Sequence, residues 1–284
     1  MPLLSFLKDP PPAHVFELSE AGIAHAHGAH PAFGKFPHPT LKPSPSEDNF
    51  MRFDTAAETV AHLVPAAAGK KRRQAAVLLP DAAARVTVLD FDSFPDSAEE
   101  QSSLVKFRVK KTIPFDIDAA AVTFYRQPGT NRKGKIEVVA VTVALEVLAR
   151  YEALFRNAGF HPGDITLSAL AALNLYRDQD PAIIAKLVEN TLTVMVVAAG
   201  KLKLFRCLSL EASNEEEIRA VLQPTLAYAE DELGQPVKRL LLSGLTLSGG
   251  VRQEMGETEL LRGRFGAPSA FNAGLYGYLE AAAS

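Results

Sequence analysis

The chain has 284 residues, enough for one large domain or two smaller ones of about 150 residues each. Hydrophobic residues make up 47% and charged residues 22%, so a sizeable core can form and wholesale disorder is excluded. With 30 Lys and Arg against 33 Asp and Glu the formal charge is −3, without the basic surplus of a dedicated nucleic-acid binder, and the single cysteine, Cys207, excludes an internal disulfide framework and a cysteine-rich zinc module.

Leu3, Leu4, Phe6 and Leu7 form a short apolar tip. Charges follow this tip instead of preceding it and Pro10 interrupts it, so it is not a signal peptide; it reads as a frayed terminus packed on its own domain, in preference to a membrane contact. The densest apolar stretch, 138–149, is broken by Thr142 and Glu146 and falls short of the roughly 20 residues of a membrane-spanning helix. The expectation is a soluble protein of a reducing cytoplasm.

Val15 to Leu18 and Ile23 to His27 read as strands joined by the turn-rich Ser19-Glu20-Ala21-Gly22. Prolines at 31, 37, 39, 43 and 45 predict an irregular loop over 30–49. A helix is expected over 55–64, a charged turn at 70–73, and strands at 75–79 and 85–91. Ser97 and Glu100 have capping-box spacing and open a helix to about Lys111, which Pro114 ends. Strands at 121–126 and 136–143 follow. Val147, Leu148, Tyr151, Leu154, Phe155 and Ala158 then make one helical stripe, stopped by Gly159. A short helix at 167–176 leads to a hairpin of 191–197 with 202–207. Ser213 with Glu216 reads as a second capping box, opening a helix that Pro224 bends on its polar side. A buried strand at 237–242 and a small-residue helix at 271–283 complete the chain. Strands and helices alternate in both halves, with a β–α–β–β unit inserted in the first, so the class is α/β.

No P-loop, dinucleotide fingerprint, zinc-protease motif or nucleophile elbow is present. The glycine-rich loop from Gly244 to Gly249 and Gly250 follows a strand but lacks a phosphate-binding lysine, so it reads as a strand-to-helix turn. His25, His27 and His30 have no cysteine or acidic companion and read as exposed histidines, with no metal site. Cys207 reads as a small buried hydrophobe. Lys106, Arg108, Lys110 and Lys111 are spread around their helix and do not make one patch.

Several segments in order resemble PilM, the actin-like cytoplasmic component of type IV pilus assembly, a relative of FtsA and of the cytoplasmic domain of GspL. They are the run from Lys42 to Asn49 with its following helix, Leu79-Pro80-Asp81, the helix ending at Lys110 to Phe115, the helix at 146–158 ending Ala158-Gly159-Phe160, and a C-terminal strand-loop-helix with Gly244 and Gly274. The resemblance covers nearly the whole chain. It implies an actin-like, ribonuclease-H-like fold of two lobes: residues 1–84 completed by 151–180, an inserted 1C-type subdomain at 85–150, and a second lobe at 181–284. The strands near 15–27 and 191–207 are expected to be corresponding hairpins of the lobes.

The same resemblance implies a cytoplasmic scaffold, peripheral at the inner membrane of a pilus or type II secretion platform. Its partner would be the N-terminal cytoplasmic peptide of a PilN-like membrane protein, together with other platform components and no nucleic acid. Arg85, Val86, Val88, Ile113, Pro114 and Phe115 are the expected border of the peptide groove. Actin-like ATPases hold nucleotide with two Asp-x-Gly turns. Here Glu17 and Ser19 stand at the first, and the second, near Glu189-Asn190-Thr191, also lacks the motif. Glu17, Ser19, Gly244, Gly249 and Gly250 therefore outline a degenerate site, and no ATP hydrolysis is expected. The alternative is an active ATPase using ATP and magnesium through an unusual phosphate site.

Overall fold

Val15, Phe16, Leu18, Ile23, Ala24 and Ala26 are all buried, and the chain opens with the two strands they dictate. In this computed structural model, which describes residues 12–28, 30–65, 73–249 and 256–283, β1 (His14–Ser19) pairs antiparallel with β2 (Gly22–His27). β3 (His30–Lys35) then pairs with β2 where the prolines predict only loop. Pro31 is tolerated because β3 is the outermost strand of its sheet. α1 (Phe53–Leu63) and β4 (Arg73–Leu79) follow.

The inserted unit comprises β5 (Arg85–Phe91), α2 (Ala98–Val109), β6 (Ala120–Thr130) and β7 (Ile136–Ala144). As the capping box predicts, the Ser97 side chain accepts from the Glu100 amide at the start of α2. α3 (Leu145–Asn157) carries the expected stripe, burying Val147, Tyr151, Leu154 and Phe155. β8 (Phe160–Leu167) is a strand the sequence reading missed. Its Pro162 sits on an outer strand beside a register shift, where a lost N–H does no harm. α4 (Ser168–Ala172) is short and buried throughout.

The second half contains β9 (Ala182–Val188), β10 (Thr191–Ala198), β11 (Lys201–Ser209), α5 (Glu215–Leu233), β12 (Arg239–Ser243), β13 (Glu257–Leu260) and α6 (Ala273–Ala282). α5 runs through Pro224, which is exposed. Its cap is Asn214 and not Ser213: the Asn214 side chain accepts from the Glu217 amide, and Glu217 turns back onto the amides of Glu211, Ala212 and Ser213.

The two five-stranded sheets run β3-β2-β1-β4-β8 and β11-β10-β9-β12-β13, with the same sequence of antiparallel and parallel neighbours. β1 therefore matches β9, and the counterpart of hairpin 15–27 is 182–198. The expected match with 191–207 is one strand too late. β9 escapes a pattern search because its near-continuous apolar run lacks the alternation of a half-buried strand.

One core cluster runs through both lobes. It joins Phe16, Val77, Leu154 and Phe155 of the first to Ile184, Met195 and Leu241 of the second. Two further corrections to the expected boundaries follow from packing. The inserted sheet, β5-β7-β6, ends at Ala144, because α3 packs against α1 and β8. α6 belongs with the first lobe, where Leu275 and Tyr278 pack with Val15, Ala76 and Ala171. That packing needs Gly277, since a Cβ there would lie 2.1 Å from the Ala171 carbonyl oxygen.

The inserted subdomain also clasps the second lobe. Gln127 donates to the Leu202 carbonyl and accepts from the Leu202 amide, both at 2.8 Å, as an added strand residue would. Next to it Lys203, at a bulge in β11, pairs with Glu137 of β7 at 2.5 Å. Nothing local in the sequence announces this contact.

His25 is buried, contrary to the exposed position expected of it, stacks with His14 and lies tilted against the Phe16 ring. Burial first, then the charges of His14, His27 and Arg73, pushes its pKa down from 6.5 to about 4. Above the ordinary value both folded and unfolded chains hold this ring neutral. Below it the unfolded chain takes up a proton that folded His25 refuses, so stability falls as pH drops from 6.5 towards 4. A melting series over that window should show the loss, and His25→Phe should lessen it, with His14, whose pKa burial also lowers, supplying the remainder.

Candidate functional site

The two lobes meet where β1 and β9 end. Ser19 and Gly22 close the first hairpin, and Val188 and Thr191 close the second. Two residues before each closing pair stand Glu17 and Lys186, at equivalent positions of equivalent strands. Both are buried, and their surroundings differ in kind.

Glu17 is held by backbone and hydroxyl donors. Ser168, the first residue of α4, donates to Oε1, and the Leu275 amide donates to Oε2 at 2.7 Å. The Gly274 amide adds a longer bond of 3.3 Å to Oε1. The carboxylate thus takes the place of an anion at the N-terminus of α6. Burial nevertheless raises its pKa, opposed by Lys186, Ser168 and the Leu275 amide.

Lys186 pairs with Asp81 at 2.8 Å, with the side chains only 3% and 2% exposed. Asp81 lies just after β4, in a short 3-10 turn. Its Oδ1 accepts from the Ala169 amide at 2.7 Å, and its Oδ2 accepts from both Lys186 and the Thr193 hydroxyl at 2.9 Å. Burial alone would lower the Lys186 pKa, but the charges of Asp81 and Glu17 overcome it and hold the ammonium above its usual value. This pair joins the first lobe to the second through residues that the surrounding core keeps from water.

At the rim, the turn tips also touch. Thr191 donates to Glu20 at 2.7 Å. The Ser213 hydroxyl donates to the Glu189 carbonyl, and the Leu210 amide donates to the Asn190 carbonyl at 2.7 Å. The tips therefore carry two carboxylates, Glu20 and Glu189, which line the same hollow. Burial raises the Glu20 pKa, partly offset by Thr191.

Of the residues expected to outline a nucleotide site, Glu17 and Ser19 lie at this junction, and the Ser19 hydroxyl donates to the Gly22 carbonyl. Gly244 directly follows β12. It sits at φ 74°, and a Cβ there would be 2.1 Å from the Leu187 carbonyl oxygen, so its smallness serves lobe packing. Gly249 stands in open space, and Gly250 lies outside the described residues. Sequence reading missed Asp81, Ser168, Lys186 and Thr193. A lone lysine inside the apolar run Ile183-Ile184-Ala185-Lys186-Leu187-Val188 was the available signal, because an unpaired lysine is almost never fully buried.

The expected groove residues divide between the faces of the inserted sheet. Val86 lies opposite Val141 and Val88 opposite Val139. Val86, Val88, Val141, Ala121 and Phe115 are part-buried and pack on the core shared by the lobes. Ile113 instead packs on the opposite side, with the α2 residues Val105 and Val109. Pro114 is exposed, as is Arg85. Arg85 borders two hollows. One, of about 930 Å³, runs from the Pro37–Pro45 loop to the turn tips; the other, of about 180 Å³, lies between Ala84-Arg85-Val86 and Phe205 to Leu208 of β11.

Cys207 is part-buried where these hollows meet, and burial together with Asp81 pushes its thiol up to about 12, far from a nucleophile. Among the described residues no group of three potential metal ligands is found. No helix is long and apolar enough to cross a membrane among those residues. The apolar N-terminal tip lies outside them.

No family model matches the sequence, and comparison with curated proteins finds no match. Solved structures do resemble it. The structure of a PilM–PilN type IV pilus biogenesis complex matches with a TM-score of 0.76 at 13% identity, over 97% of this chain and 100% of that chain. The cytoplasmic domain of EpsL, an inner-membrane component of the type II secretion system of Vibrio cholerae, matches at 0.58 and 14% identity, over 95% and 94%. A Bacteroides thetaiotaomicron protein of unknown function with an actin-like ATPase fold matches at 0.55 and 11% identity, over 98% of each chain. The protein has the actin-like fold.

Removing one partner of the central pair strands the other charge. Lys186→Met should cost about 3–5 kcal/mol in urea unfolding. Adding Asp81→Asn to it should recover part of that loss, so the two changes together cost less than their sum.

Proposed function

We propose that the protein is a non-catalytic scaffold of a type IV pilus or type II secretion platform at the inner membrane. In this reading it binds an extended N-terminal peptide of a PilN-like membrane partner. The likeness to PilM in its complex with PilN supports the class of assembly. The observation that carries the reading is the inserted sheet's second face. One face of that sheet is filled by α2, whereas Val86, Val88, Val141, Ala121 and Phe115 on the other side are only part-covered. β5 borders this face as an outer strand of its sheet. An extended peptide placed there would find strand donors and acceptors for affinity and apolar hollows for specificity.

The lobe junction supports a scaffold that works without nucleotide. An actin-like site needs room and positive potential for phosphates between its two turns. Here the turn tips carry Glu20 and Glu189 and are bonded to each other. Behind them Lys186 is already neutralised by Asp81. Phosphates placed against the tips would meet the like charge of Glu20 and Glu189, and recruiting Lys186 would break a buried pair. We read these features as unfavourable to a nucleotide with magnesium, although the hollow of about 930 Å³ beside the tips also has Lys35, Lys42 and Arg85 on its wall.

Titration with the N-terminal cytoplasmic peptide of a candidate PilN-like partner tests the reading. Binding should weaken tenfold or more in Val86→Glu or Phe115→Ser, measured at a temperature where melting curves show each variant folded. Equal affinity for both variants and the parent would move the groove elsewhere. Phe115→Ser melting early would assign that ring to packing, leaving Val86→Glu as the deciding variant.

A further inference from the structure

We propose that the outer face of α2 is a docking surface for an anionic membrane. Among the described residues Phe107 is the most exposed large hydrophobic side chain, at 65%. A ring in water in the last turn of α2 has no role in the core beneath it, where Val105 and Val109 are the buried residues of the helix. Lys106 precedes it, Lys110 and Lys111 stand three and four residues on, and all three are exposed. The Lys111 ammonium lies 6.0 Å from the Phe107 ring centre. The structure thus brings Lys111 to the Phe107 ring, with Lys110 beside it at helical spacing and Lys106 on the adjoining stripe.

Charge selects the occupant. Between the acidic first turn of α2, with Glu99 and Glu100, and Asp116 the chain has four cations and no acidic residue, although the whole protein is net negative. The helix dipole accounts for cations near the C-terminus of α2, but not for an unburied phenyl ring among them. A phenyl ring flanked by flexible lysines matches a surface that is anionic at the headgroups and apolar just below. An acidic protein partner fits less well, since neither of the hollows near Arg85 reaches this face and a rigid partner needs a shaped site. Each such cation is worth roughly fivefold in affinity for an anionic leaflet, so three lysines and one ring give a weak, salt-sensitive attachment. A second tether would make it firm. The inference stands apart from the peptide groove, because it needs no partner protein.

Co-sedimentation of the whole chain with vesicles tests it, using phosphatidylcholine alone or with phosphatidylglycerol added. The expected result is pelleting with the anionic vesicles only, reversed by raised salt. Lys106→Glu with Lys110→Glu and Lys111→Glu should reduce binding by at least tenfold, and Phe107→Ser should reduce it without abolishing the salt dependence. All four positions are exposed, and melting curves check that the variants fold. Absence of binding to anionic vesicles at low salt overturns the proposal, as does equal binding by the charge-reversed variant. Tighter capture by poly-glutamate than by vesicles through the same lysines assigns the face to an acidic protein, and overturns it too.

Discussion

A lysine and an aspartate, almost wholly removed from water, join the two lobes of this protein. Such a pair carries a desolvation penalty that Coulomb attraction offsets only when the remaining lone pairs and protons are also satisfied. Asp81 meets that condition: it accepts from Lys186, from Thr193 in the second lobe, and from the Ala169 amide at the start of α4. The same helix offers Ser168 to Glu17, and Glu17 in turn holds the first amides of α6. A chain of charge and hydrogen bonds therefore runs from the second lobe through α4 to the C-terminal helix. It explains why α6 returns to the first lobe, and why Gly277 must let it approach so closely.

The closed arrangement is then a property of the polypeptide. Thr191 and Glu20 tie the turn tips, and Gln127 and Lys203 tie the inserted subdomain to β11. Three separate contacts span from elements of the first lobe or its insertion to the second. In the proposed reading, lobes tied by their own side chains would present a fixed surface. A fixed surface suits recognition of an extended segment, because little conformational freedom remains to be lost on binding.

Much of the fold was legible in the sequence, and the exceptions have physical causes. Hairpin β1–β2, the capped start of α2 and the stripe of α3 follow from turn chemistry, capping and periodicity. β8 and β3 were hidden by prolines that outer strands accommodate. β9 was hidden by burial on both faces, which erases alternation and shifted the expected lobe correspondence by one strand. The site was legible only by half. Glu17 and Ser19 are found by position in a turn, but Asp81 and Lys186 are 105 residues apart and become partners only when β4 and β9 end at one junction. A polar residue inside an apolar run signals a partner without naming it. The clasp of Gln127 on the Leu202 backbone carries no side-chain signal at all, since one half of it is main chain.

If the pair of Asp81 and Lys186 has taken over the bridging task, nucleotide should be neither needed nor admitted. Calorimetric melting of the unmodified chain with magnesium and ATP, at concentrations up to the millimolar range, puts this most directly. No rise in melting temperature is predicted. A saturable rise, reaching the stabilisation of about 2.7 kcal/mol that a ligand gives at one hundred times its Kd, would contradict it.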